Sequence, residues 1–288
     1  MALTTISNGK VTAVFSDKGA ELQSLTCQGI EYIWQGDPAF WAKRAPVLFP
    51  FVGRCRGDKY SYAGRDYKMG QHGFARDNVF ELVCVNATSV TYVLRSNDKL
   101  KEVYPFDFEF YIEYHLDRNA LNVKYTVKNV GNNLMFFSVG SHEAYRCPLV
   151  EGERFEDYRV TFNCNERLDR YYLEDGLVGR VPEPFIDFGQ ALPLRHEYFE
   201  KSVAVLKKVR SNKVKLQSRV SGHGVEVEFD GFVNVGLWQP KNAPFLAIEP
   251  WMGISDEVGF VGDLPVKTDI VRLNTGASNV YTHKISLF

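Results

Sequence analysis

An all-β protein, a sandwich or a barrel, is the fold class this sequence predicts, and three observations predict it. Apolar residues recur with a period of two. Gly, Asn and Asp turns punctuate them at short intervals. Stretches with a helical period are few and short.

The elements follow in order. "VTAVFS" (11–16) reads as a strand, and "DPAFWAKR" (37–44) as a short helix. "VTYVLRS" (90–96) is a further strand. In "FDFEFYIEYHL" (106–116), Phe106, Phe108, Phe110, Ile112, Tyr114 and Leu116 alternate with mostly polar residues. "DRNA" turns the chain, and "LNVKYTV" alternates again through Leu121, Val123, Tyr125 and Val127. The two form a long antiparallel hairpin. "KVKLQSRV" and "VEVEFDGF" repeat the scheme around the turn "SGHG", and "VNVGLW" (233–238) adds a strand. "SDEVGFVGD" (255–263) reads as a second short helix. No linker or charge block divides the chain, so residues 1–288 are expected to form a single domain.

Composition narrows the function. The chain carries 34 basic and 35 acidic residues, net charge -1. With no basic excess to meet a phosphate backbone, nucleic acid is not an expected partner. Aromatic residues make up 14%, and their faces suit strands and the apolar faces of sugars. Five cysteines, at 27, 55, 84, 147 and 164, contain no CxxC pair. That argues against a disulfide framework and a thiolate zinc site, and for reduced thiols in the cytoplasm. No signal peptide and no membrane-spanning run is apparent.

Two of the six histidines stand two positions after a glycine in crowded polar stretches. His72 lies in "MGQHGFARD" (69–77), with Gln71, Arg76 and Asp77 close by. His142 lies in "FFSVGSHEAYRCP" (136–148), where an apolar run ends in Gly140. His115, His196, His223 and His283 have the polar or turn contexts of solvated or structural histidines. Glu249 follows Phe245, Leu246, Ala247 and Ile248 directly, and Pro250 and Trp251 follow it. Burial there disfavours the ionised carboxylate and makes Glu249 a candidate general base. Each of these also has a plain structural reading, as a polar turn or a strand-end carboxylate. Arg44 and Arg54 bracket "APVLFPFVG", and with Arg56 and Arg76 they could fork onto hydroxyl, carboxylate or phosphate groups, or simply pin loops. No P-loop, dinucleotide, nucleophile-elbow or HExxH motif is present, so no cofactor is expected. His72, His142 and Glu249 could ligate zinc, but their spacing does not demand it, and no metal is expected.

"GAELQSL", "EYIWQGDPAFW", "RAPVLFPFVGR", "MGQHGFARD", "VGSHEAY" and "LAIEPWMGISD" occur in this order over nearly the whole chain. Together they resemble the aldose 1-epimerase (galactose mutarotase-like) family, most closely its LacX-like branch. The resemblance implies a single large antiparallel β-sandwich with few short helices and a sugar site on a concave sheet face. It implies interconversion of the α and β anomers of a free hexose or hexose phosphate, without a cofactor. By resemblance Glu249 is the base that takes the O1 proton, and His142 is the acid that protonates the ring oxygen. His72 hydrogen-bonds the sugar near that oxygen. Arg76 and Arg44 are the expected hydroxyl or phosphate contacts. Gln71, Trp251 and Arg54 are further substrate-binding candidates. The protein is expected to be a monomer or homodimer.

Two positions depart from the family pattern. Glu143 stands where relatives often have proline, adding a charge beside the expected acid. Ser202, in "YFEKSVAVLKK", stands where many relatives carry a sugar-binding aspartate. These departures leave open an alternative, a non-catalytic carbohydrate-binding or sugar-sensing protein on the same fold.

Overall fold

The computed structural model describes residues 1–189 and 191–288. Two large antiparallel sheets dominate it. The long hairpin forms as its alternation requires. Phe108–Asp117 pairs with Ala120–Asn129, Phe108 opposite Asn129 and Asp117 opposite Ala120. Phe108, Phe110, Ile112, Tyr114 and Leu116 are buried, and His115 and Asp117 reach solvent. One face of each strand therefore joins the core and the other meets water.

This hairpin sits inside a nine-stranded sheet. From one edge the order is Leu192–Pro193, Tyr158–Phe162, Lys213–Ser218, Gly224–Asp230, Ser278–Leu287, Ala120–Asn129, Phe108–Asp117, Ser89–Arg95 and Glu81–Val85. The facing sheet has seven strands. Phe245–Met252 pairs on one side with Asn234–Trp238 and on the other with both Val139–Gly140 and Glu143–Arg146. Ala204–Leu206, Leu168–Tyr171 and Glu183–Ile186 extend it beyond Asn234–Trp238. The N-terminal segment adds a four-stranded sheet from Leu3–Ser7 to Ile30–Glu31. The result is the expected antiparallel β-sandwich, with one core cluster running from Ile6 to Leu287.

Both stretches read as helices are turns instead. After Asp37 the chain makes one turn, with Phe40 and Trp41 N–H groups donating to the Asp37 carbonyl. The Trp34 indole then donates to the Trp41 carbonyl at 2.8 Å, taking a group a longer helix would need. In 255–263, Gly259 adopts φ +80° and Glu257 bridges to Val178. Asp98–Lys101 is the one α-helix among the described residues. None of those residues forms a helix long and apolar enough to cross a membrane. The cysteines are free, with Cys27, Cys55 and Cys147 buried and Cys84 exposed.

One irregular segment positions the site. Residues 45–53 thread between the two histidine-bearing stretches. Leu48 exchanges backbone hydrogen bonds with Gly140. The Phe49 carbonyl accepts from both Phe74 and Ala75 N–H groups, at 3.0 Å each. The Phe49 side chain anchors this segment in the core, its ring 4.5 Å from that of Phe110. Gly73 permits the crossing. Its φ is +71°, and a Cβ there would lie 2.3 Å from the Phe49 carbonyl oxygen. Only glycine fits so close an approach at positive φ.

Candidate active site

A cavity of about 400 Å3 opens beside the seven-stranded sheet, within the usual size for small-molecule sites. One end is polar, lined by Lys43, Gln71, His72, Arg76, His142 and Glu249. The other end is largely apolar, lined by Val52, Leu173, Val178, Val203 and Val205. Trp41, Trp238 and Trp251 lie along the walls.

Glu249 lies within Phe245–Met252, opposite Gly236. It is 1% exposed. Burial holds its carboxyl well above the usual carboxylate range, and the negative charge of Glu143 pushes the same way. The Trp251 indole opposes this rise, although its Nε1 closes no hydrogen bond. His142 directly precedes the strand Glu143–Arg146, and its Nε2 lies 3.3 Å from Glu249 Oε2. Its ring stacks on Trp41, centroids 4.9 Å apart, and meets the edge of Trp238. Burial lowers the His142 pKa to about 3. Desolvation therefore favours the uncharged form of both partners.

His72 faces His142 across 5.7 Å between ring centroids. Its own backbone is strained, with φ +66°. Two hydrogen bonds to Gly53 hold it there. The His72 N–H donates to the Gly53 carbonyl at 2.7 Å, and the Gly53 N–H donates to His72 Nδ1 at 3.0 Å. Because Nδ1 accepts, the neutral ring carries its proton on Nε2. Burial, then the charges of His142, Arg76 and Lys43, keep its pKa well below the usual histidine value.

At the polar end Arg76 Nη2 donates to the Gln71 carbonyl at 2.7 Å. Asp77, largely exposed, lies 3.7 Å from Arg76 and 3.8 Å from Lys43. One carboxylate thus stands between two cations. Gln71 is exposed at the rim, and Trp251 lines the cavity.

Two sequence-based assignments need correction. Arg44 does not line the cavity. Glu21 Oε1 accepts from the Arg44 and Ala45 N–H groups, and the Arg44 guanidinium donates to Gln23 Oε1 at 3.0 Å. Its neighbour Lys43 faces the cavity instead. Arg54 is likewise outside. Its guanidinium forks onto the Asp58 carboxylate through two 2.6 Å contacts at the surface.

The two departures from the family pattern also gain positions. Ser202 lines the cavity, but its hydroxyl accepts from Leu173 N–H at 3.0 Å and donates to the Val203 carbonyl at 3.1 Å. Glu143 turns away from His142 into the core, where its Oε1 lies 3.0 Å from His283 Nε2. His283 is therefore buried, contrary to its polar sequence context.

Lys43, Trp41 and Trp238 were missed in the sequence. The first two fall in the stretch misread as a helix. Trp238 follows Gly236 by two positions in "VNVGLW", a spacing that puts both on the face of Glu249. Among the described residues, no three His, Cys, Asp or Glu side chains gather as a metal ion would need.

A buried carboxyl beside a neutral imidazole sets two proton-transfer groups side by side on one cavity wall, 3.3 Å apart. Comparison with known proteins places the chain in a family. The model of the aldose 1-epimerase family matches residues 2–286. The chromosomally encoded protein LacX of Lactococcus lactis subsp. lactis is 34% identical over 284 residues, covering 94% of this chain and 95% of LacX. The crystal structure of a galactose mutarotase related enzyme from Lactobacillus acidophilus superposes with a TM-score of 0.94. It is 33% identical, over 100% of this chain and 97% of that one. A galactose mutarotase-like protein from Lactobacillus casei also gives 0.94, at 32% identity over the full length of both chains. With the family model matched from residue 2 to 286 and relatives a third identical over nearly their whole length, this chain belongs to the aldose 1-epimerase family of sugar isomerases, on the branch that includes LacX.

Proposed function

We propose that this protein interconverts the α and β anomers of a free hexose or hexose phosphate, with Glu249 and His142 as the proton-transfer pair. The observation that carries the reading is the 3.3 Å approach of His142 Nε2 to Glu249 Oε2 in a buried, sugar-sized cavity. The pair shares one exchangeable proton beyond the imidazole's own N–H. With the proton on His142, the Glu249 carboxylate takes the proton from O1–H while His142 Nε2–H gives one to the ring oxygen. The C1–O5 bond breaks and C1=O1 forms. The open chain turns its aldehyde, and the steps reverse on the other face. His72 Nε2–H is free to donate to the ring oxygen as charge develops. Trp41 and Trp238 offer apolar faces to the sugar, and Trp251 adds another.

Lys43 and Arg76 outnumber their shared Asp77, which favours a substrate with an anionic group such as a phosphate. The continuous core from Ile6 to Leu287 supports reading residues 1–288 as one domain.

The test is NMR exchange spectroscopy on equilibrated aldoses and their 6-phosphates. Anomer exchange faster than in buffer is expected for at least one sugar. No acceleration across the panel would defeat the proposal. The commitment of the Ser202 hydroxyl to backbone favours a second reading, a binding protein without catalysis. Calorimetric binding without exchange would select it.

A further inference from the structure

Glu143 and His283 form a buried pair that the proposed chemistry does not use. Their side chains are 5% and 0% exposed. Glu143 begins the strand Glu143–Arg146, and His283 lies in Ser278–Leu287 of the facing nine-stranded sheet. The 3.0 Å contact therefore crosses the sandwich.

Register fixes the relation to the site. Glu143 pairs with Ile248, so those two side chains share the core face. Glu249, one residue on, shows the cavity face. The carboxyl groups of Glu143 and Glu249 thus lie on opposite sides of one two-strand ladder. His283 is the sole ion-pair partner of Glu143 among the described residues. Glu143 Oε2 and His283 Nδ1 accept or donate no further hydrogen bond there. The other titratable groups near the pair are Tyr114, Tyr125 and Tyr145, and burial, with the Glu143 charge behind it, raises the pKa of each. Around Glu249 stand His142 in the cavity and Glu143 behind, with His72, Lys43 and Arg76 on the polar wall.

A buried carboxyl–imidazole contact is a poor stabiliser. Packed apolar residues of similar volume often do as well or better. Its place behind Glu249 calls for another role. We propose that Glu143 and His283 are positioning residues that set how tightly Glu249 holds its proton. The pair links the two sheets, with the Glu143 carboxyl under the site and the His283 imidazole in the far sheet. The Glu143 charge favours a protonated Glu249, and the contact with His283 Nε2 limits that effect. The low dielectric between the sheets leaves the field little screened. The significance for catalysis rests on the acid–base reading of Glu249 above.

Two isosteric variants separate this from a scaffolding role. Protein labelled with 13C at glutamate carboxyls is titrated by NMR, with the Glu249 signal assigned by its loss in E249Q. In E143Q the Glu249 midpoint falls, by on the order of one pH unit. In H283Q it rises, because Glu143 Oε1 loses the imidazole it meets at 3.0 Å. The alkaline limb of the anomer-exchange profile moves in the same two directions. A scaffolding role shifts stability in both variants and leaves the midpoint where it was. If either single variant fails to fold by circular dichroism, the double replacement E143M with H283L restores a packed core and is expected to lower the midpoint. An unmoved midpoint, or a shift of the same sign in E143Q and H283Q, overturns the proposal. Opposite midpoint shifts without exchange activity in any form sustain it and defeat the epimerase reading alone.

Discussion

Glu249→Gln is the sharpest perturbation of the proposed chemistry, because it separates catalysis from stability. The amide keeps the size of the carboxyl but cannot take a proton from O1. General acid–base groups contribute roughly 10²–10⁴-fold, and a loss in that range is expected by exchange spectroscopy. The stability consequence has the opposite sign. Glu249 is buried with its pKa held well above the usual value. The folded state therefore binds a proton that the unfolded chain releases once pH exceeds about 4.3. Above that point the wild type loses up to about 1.4 kcal/mol per pH unit at this one site, until pH reaches the raised folded value. Glutamine carries no such penalty. E249Q should match the wild type near pH 4 and exceed it by a margin that grows to alkaline pH. Urea unfolding across pH 4–9 reads the difference. Near-normal exchange in E249Q would refute the base assignment. A variant uniformly less stable than the wild type would refute the neutral buried carboxyl.

Three further outcomes follow from the site. The rate profile should be broad, with its acid limb near the lowered His142 value of about 3 and its alkaline limb where the one shared proton leaves the pair; a rate that climbs steadily through pH 9 would contradict the shared-proton scheme. K43M and R76Q should raise KM for a hexose 6-phosphate by more than tenfold while changing KM for the free hexose less, since each removes a cation facing the cavity; equal effects on both substrates would remove the case for an anionic group. Gly73→Ala should cost 2 kcal/mol or more, roughly the sum of strain at positive φ and a clash with the Phe49 carbonyl; a urea midpoint unchanged from the wild type would refute the close-packing argument.

The sandwich was legible because its longest strands obey one simple rule. From Phe106 to Val127 nearly every second side chain is apolar, and those are the side chains that fill the core. The three polar residues proposed to act on the sugar stood out as oddities: two histidines each two positions after a glycine, and a carboxylate inside an apolar strand. What failed was parity in irregular chain. Arg44 and Lys43 are adjacent, and nothing in "FWAKR" says which one faces inward. Glu21, more than twenty positions away, decides it by holding the backbone at 44 and 45. Arg54 was lost to Asp58, an ion pair that sequence cannot rank against a ligand. His283 looked solvated because Thr282 and Lys284 flank it. It is buried because alternation in Ser278–Leu287 puts odd-numbered residues such as Tyr281, His283 and Ile285 inward.

The threaded segment 45–53 has a consequence for how ligands can be found. It links the His72 loop to the strand at Gly140, and just beyond it the Arg54 N–H donates to the Ser255 hydroxyl, 201 positions away in sequence. The cavity walls therefore belong to segments that meet only when the whole sandwich is assembled. A partly unfolded chain has no half-site to offer. A sugar that binds must then bind the native state alone, and its binding energy adds directly to global stability. At a hundredfold excess over Kd that is about 2.7 kcal/mol, readable as a rise in Tm. Melting curves across a sugar library would rank substrates and inert binders alike, before any reaction is assayed.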